Sequence, residues 1–450
     1  MMKLSRRNLL KMVSVGTALP SLSLLPTLLS AETRGMRQDQ YFVFAYFSGG
    51  WDNMLALDPK DPEIYTPDSV STTGIQPAYQ QITGLNEADF LIPTNLESMT
   101  FGPFIGDLQY FADRIAVLRG MTMESVAHQV ARRHALTGRR PAGTSVRGSS
   151  VATILAYLLG ENEPIPNLVA GTESFNINEP LWATGLPTAN INDLYSALSP
   201  SPSALRPSQR DALTEFFEKQ RSRVSHSRES ALYENHSIAH ALTEQGLADF
   251  FDLDSPDLAI AKDQFQVGNG SSSDNGAMAL LAAQALTMGI SRCVTIKMAG
   301  SLDTHQGLAW RNEQGPRQQS GFNAIASLAQ FLENTPFGDI AGDNWLNHTT
   351  IVCFSEFGRG AKLNGNGGRD HNPINSMLLL GGLVRGGQVI GQTSEIGMLA
   401  QPVNLHSGAV DPGGELLGNN HIARTLLHGA GAEDDIGDFR ADPILALLED

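Results

Sequence analysis

Residues 354–373, FSEFGRGAKLNGNGGRDHNP, gather Glu356, Arg359, Arg369, Asp370 and His371 into a loop with five glycines. An ordinary turn needs one or two glycines and tolerates almost any polar residue. So many ionisable groups directly after the apolar run TTIVCF (349–354) suggest chemistry. The pattern recurs along the chain. SGGWDN brings Asp52 after YFVFAYF (41–47), and MTMESVAHQVARRHALTG brings His128, Arg132 and His134 after RIAVLRG (114–120). AGSLDTHQ brings Asp303 and His305 after RCVTIKM (292–298). Four run ends thus supply three Asp, one Glu and four His. Carboxylate with imidazole is the ligand set of Zn, Mn or Fe, and with fewer imidazoles of Mg or Ca. Singly, each residue has a plainer explanation. An Asp after a strand is commonly a turn or cap residue, DTH suits an Asx-turn, and RDHN suits a solvated loop. Their recurrence points to a metal or oxyanion site, because open α/β sheets bind ligands beyond the carboxyl ends of their strands.

The runs that must position these groups lack clean alternation and are rich in Val, Ile, Leu and Phe, as strands covered on both faces are. SMLLLGG (376–382) reads as a fifth strand. Helical segments fall between them, at 150–160, 276–290, 320–334 and 420–430. The alternation predicts an α/β fold, a doubly wound and mostly parallel sheet with helices on both faces. Residues 203–252, polar and rich in Glu, Arg, Ser and His, read as a helical insertion or cap on a single domain spanning 40–450.

The first 31 residues stand apart. SRRNLLK precedes an uncharged apolar stretch that ends near Ala31, the layout of a secretory signal. Arg6-Arg7 with Leu9, Leu10 and Lys11 resembles a twin-arginine export signal, a route that carries folded proteins. Pro20 and Pro26 interrupt the stretch and disfavour a stable membrane span. The expected location is periplasmic or secreted, with the export machinery as partner. Loss of the four cations in this segment would take the formal charge from −16 to −20. That charge argues against nucleic acid and anionic membranes, and against anionic substrates unless a cation sits in the site. Cys293 and Cys353, each inside an apolar run, read as buried thiols rather than a disulfide framework.

GGWDN, DTHQ, SEFGR and GRDHN, in this order behind a twin-arginine signal, resemble a secreted bacterial family known as domain of unknown function 1501. The resemblance covers essentially the whole mature chain, with Gly360 where threonine is more usual. That family in turn resembles the alkaline phosphatase and sulfatase superfamily. The resemblance implies a metal-bearing α/β sheet, with Asp52 as the ligand after the first strand, Asp303 and His305 as a later pair, and His371, preceded by Asp370, as the last. Glu356-Phe357 stands where an Asp-His pair is expected, so the carboxylate is kept and an imidazole is missing. His128 falls where the superfamily has its Cys, Ser or Thr nucleophile, with Arg132 four residues on and Thr137-Gly138 beyond.

Three roles are open for His128: a metal ligand replacing the missing imidazole, a nucleophile, or a helix N-terminal histidine bonded to a carboxylate. Arg359 suits an anion clamp with Arg132, or equally a salt bridge to Glu356 or Asp370 that fixes the loop. The resulting expectation is an exported hydrolase of phosphate or sulfate esters. One or two divalent ions (Zn, Mn, Mg or Ca) would be held by Asp52, His128, Asp303, His305, Glu356, Asp370 and His371, with a small or polymeric anionic substrate. The alternative is a non-catalytic binding protein on the same fold.

Overall fold

In a computed structural model of the chain, described residues comprise 36–96, 99–199, 245–268 and 271–449, with isolated positions between 200 and 244. The expected export signal and most of the expected 203–252 insertion lie outside them. Residues Met36–Asp450 form one compact unit. No helix among the described residues is long and apolar enough to cross a membrane.

Eight strands make the central sheet: β1 Tyr41–Phe47, β2 Ile115–Thr122, β3 Asn167–Ala170, β4 Leu186–Thr188, β5 Cys293–Ala299, β6 Thr349–Phe354, β7 Ile374–Leu380 and β8 Gln388–Ile390. Their order is β8-β2-β7-β6-β1-β5-β3-β4. All pairings are parallel except those of β7, which runs antiparallel to both β2 and β6. The fold is the mostly parallel α/β sheet expected from the sequence. All five expected strands are present, and three short strands at or near the sheet edges join them.

The longer helices among the described residues are α1 His128–Thr137, α2 Val151–Leu159, α3 Ile191–Leu198, α4 Asn275–Thr287, α5 Gly315–Asn334 and α6 Asn419–Gly429. β1 shows why the sheet must be covered twice. Tyr41, Val43, Ala45 and Phe47 enter a core shared with α3, α4 and α5. Phe42, Phe44 and Tyr46 enter a second core shared with α2 and α6. Each fully buried side chain of this size contributes roughly 1.5–3 kcal/mol, so neither face is stable uncovered. α4 is apolar all round and buried from Gly276 to Leu286, as a central helix must be. Its start is fixed by Asp274, whose carboxylate accepts from the Ala277 N–H at 2.7 Å. Cys293 and Cys353 are free and buried, and burial pushes both thiols well above their ordinary range.

α1 ends at Gly138, in the left-handed conformation that only glycine adopts at low cost. His134 on this helix is buried. Burial holds its imidazole below the ordinary value of 6.5. The unfolded chain therefore takes up a proton at higher pH than the fold does. This contribution to stability is expected to be complete above pH 6.5 and to be lost as pH falls through the lower folded value. Thermal midpoints from about pH 8 to about pH 5 check this, and His134→Gln should flatten the slope across that imidazole range.

Candidate metal centre

One edge of the sheet collects the reactive groups. β1, β2, β5 and β6 all end there, and the reversed β7 begins there, with Ile374 opposite Thr122. Reversal is what brings His371, three residues before β7, to the same edge as groups that follow parallel strands. The approach is close. Gly49 follows β1 at φ +117°, and a Cβ there would sit 2.6 Å from the Leu302 nitrogen. Its N–H instead donates to both Glu356 oxygens, at 2.9 and 3.0 Å. Gly368 likewise leaves room for the His305 backbone, 2.4 Å from where a Cβ would stand.

Three imidazoles converge on one carboxylate. Asp303 Oδ1 lies 3.0 Å from His305 Nε2 and 3.0 Å from His371 Nε2, and Oδ2 lies 3.4 Å from His128 Nε2. The His305 and His371 Nε2 atoms are 3.0 Å apart. One ligand atom each from His128, Asp303 and His371 falls within 4.8 Å of the others. The far side of each ring is equally defined. His128 Nδ1 faces Glu356 Oε1 at 2.8 Å, His305 Nδ1 faces Asp370 Oδ1 at 2.9 Å, and His371 Nδ1 faces the Val126 carbonyl at 2.9 Å. Carboxylate and carbonyl oxygens only accept, so each Nδ1 carries a proton, and each Nε2 is the atom left either to donate to Asp303 or to ligate a cation. A cation among them would take the Nε2 lone pairs and the Asp303 carboxylate as ligands. Imidazoles fixed from behind by oxygen acceptors are the usual outer layer of a metal site, so these residues fit such an ion.

The electrostatics agree with the geometry. Burial pushes the Asp303 carboxyl up, but hydrogen bonds from Arg359 and His371 outweigh it and hold the group well below the carboxylate range. The Glu356 bond raises His128. Glu356 is lowered against its own burial by His128 and the Gly49 N–H. Asp370 is lowered by Asn364 and then His305.

Of the seven candidate ligands, the structure brings His128, Asp303, His305 and His371 together and sets Glu356 and Asp370 one layer behind. Asp52 is placed elsewhere, a correction to its expected role. It is buried, with Oδ2 paired to Arg369 Nε at 2.7 Å and accepting from Trp310 Nε1 at 2.8 Å, while Oδ1 accepts from the Met54 N–H at 3.1 Å. Its lone pairs are committed to a structural pair rather than to an ion. Arg359 is also reassigned. It is buried, donates to the carbonyls of Gly49, Gly50, Leu302 and Arg369, and pairs with Asp303 rather than with Glu356 or Asp370. A guanidinium spent on four carbonyls holds the loops together and does not clamp a substrate. Arg132 pairs through Nε with Glu173 at 2.7 Å. His128 opens α1 as expected, and Phe357 packs its ring 4.8 Å from the His128 ring and 4.3 Å from that of His371. Nothing local in the sequence marks Glu173, Trp310 or the Val126 carbonyl, whose roles depend on partners distant in the chain.

The family described as "Protein of unknown function (DUF1501)" matches residues 40–410. No curated protein matches significantly. Similar solved structures include Ps i-CgsB in complex with k-i-k-neocarrahexaose, at 10% identity and TM-score 0.39, covering 90% of this chain and 75% of that one. A protein in the alkaline phosphatase superfamily from Vibrio parahaemolyticus is 9% identical at TM-score 0.37, covering 98% and 79%. A 2-O GAG sulfatase is 9% identical at TM-score 0.33, covering 88% and 71%.

Proposed function

Since the chain belongs to the DUF1501 family, whose description names no activity, we propose a function from its own site: an exported metal-dependent hydrolase of phosphate or sulfate esters. The observation that carries this reading is the convergence of three imidazole Nε2 atoms on Asp303. Three donors within 4.8 Å of one another, from His128, Asp303 and His371, with His305 beside Asp303, suit a single ion better than two. Three imidazoles with one carboxylate favour Zn, Mn or Fe over Mg or Ca. When bound, such an ion supplies Lewis acidity and a water whose pKa falls to roughly 7. The chain's part is orientation. Glu356, Asp370 and the Val126 carbonyl fix the rings, Arg359 fixes Asp303, and α1 turns its uncapped N-terminus toward the cluster, where N–H groups favour an anion. Arg132 lies one turn along that helix and would meet the anionic ester group on leaving Glu173. A non-catalytic metal-holding protein is the second reading, favoured by the engagement of both guanidiniums, Arg132 with Glu173 and Arg359 with carbonyls.

Elemental analysis of purified protein tests the centre. The expected result is about one equivalent of a transition ion, with a thermal midpoint that falls on chelation and recovers on readdition. A metal-free protein whose midpoint ignores chelator would sink the reading. A panel of phosphate and sulfate mono- and diesters then separates the two readings, since metal uptake without turnover selects the non-catalytic one.

A further inference from the structure

Beside the carboxyl end of β5 lies a cavity of about 360 Å³, within the roughly 300–1,000 Å³ of small-molecule sites. Asn275 at the start of α4, Gly300 after β5, and Asn312, Glu313, Arg317 and Ser320 line it. Its charges cancel internally. Arg317 Nη2 pairs with Glu313 Oε2 at 2.6 Å, and Nη1 donates to the Ser301 carbonyl at 2.6 Å. The remaining polar groups of the lining are amide and hydroxyl, set beside the apolar Ala299 and Pro316. Asn275 Nδ2 donates to Ser320 Oγ at 2.9 Å, and Asn312 Oδ1 accepts from Thr83 Oγ1 at 2.7 Å. One end of each amide, Asn275 Oδ1 and Asn312 Nδ2, thus has no partner among the described residues. An anion would find no unpaired cation here, and an apolar group would strip these amides of water without replacing their hydrogen bonds. A neutral group rich in hydroxyls can both donate and accept.

The cavity is tied to the proposed centre. Gly300 lies three positions before Asp303, a span of at most about 11 Å. Between them, Ser301 holds a left-handed φ of 58°, unusual for a residue that is not glycine, and Arg317 grips its carbonyl. Strain of this kind collects at ligand-holding loops.

We propose that this cavity is a subsite for the neutral, hydroxyl-rich alcohol portion of an ester, a polyol or saccharide ring, whose anionic group lies at the Asp303 cluster. This rests on the hydrolase reading. The test uses methyl glycosides and myo-inositol as probes in saturation-transfer NMR with wild type, Ser320→Phe, Asn312→Ala and His371→Ala. Wild type is expected to bind at least one probe, the two cavity variants about tenfold more weakly, and His371→Ala as well as wild type. Absence of binding to wild type, or equal binding to wild type and both cavity variants, overturns the proposal. Thermal midpoint and metal content, expected unchanged, show whether Ser320→Phe disturbs α5. Asn312→Ala merely shortens an exposed side chain and reports independently. Failure of the hydrolase reading has a different signature: probe binding with no ester turnover by wild type.

Discussion

His371→Ala is expected to leave the protein folded and to abolish stoichiometric metal uptake. The substitution removes one Nε2 donor 3.0 Å from Asp303 and vacates the ring wedged between those of His128 and His305. Glu356→Gln should act more mildly. It keeps an oxygen toward His128 Nδ1 but weakens the pull on that proton, and outer-layer changes of this kind lower metal affinity by about 10–100-fold. Competition against a chromophoric chelator ranks wild type, Glu356→Gln and His371→Ala in that order. Wild-type affinity in His371→Ala would refute the ligand assignment. Unfolding of the metal-free variants serves as control, because a loss of uptake that follows a loss of fold would say nothing about the ligands.

Arg369→Met should cost about 3–5 kcal/mol of stability, the usual penalty for leaving one partner of a buried ion pair uncompensated. Asp52 and Arg369 are both buried, and the Arg369 guanidinium lies 4.9 Å over the Trp310 ring. The Arg369 side chain also donates to the carbonyls of Gly360, Gln76 and Pro77. Denaturant unfolding of the metal-free protein measures the loss. Adding Asp52→Ala should recover only part of it, since Trp310 Nε1 and those carbonyls remain without their partners. A variant as stable as wild type would show that the pair contributes little.

How much of this was legible in the sequence depended on whether a residue's role was local. Val, Ile and Phe runs long enough to fill both cores declared themselves, and the strands 41–47 and 349–354 were read to the residue. Asn167–Ala170, Leu186–Thr188 and Gln388–Ile390 are three or four residues long and too short to carry a pattern. The direction of β7 was not legible, because it depends on partners at 115–122 and 349–354 rather than on its own residues. The same limit governed the site. Asp303, His305 and His371 stood out as carboxylate and imidazole beside strands. Asp52 looked identical by that criterion, and only Arg369, 317 positions away, shows that its charge is already matched. Arg359 is equally ambiguous from local residues alone, since its partners are carbonyls from other loops and Asp303.

The reversed strand has one more consequence. β7 is pinned on both sides, and a slip of one residue would shift its start by about 3.4 Å while turning every side chain to the opposite face. His371 stands three residues before that start, and its Nε2 lies 3.0 Å from Asp303. A slip would carry the ring beyond bonding distance and at the same time expose Met377 and Leu379 to the wrong core. The hydrophobic code that aligns the sheet is therefore also the gauge that sets the spacing of the donors. A metal titration thus doubles as a measurement of strand register.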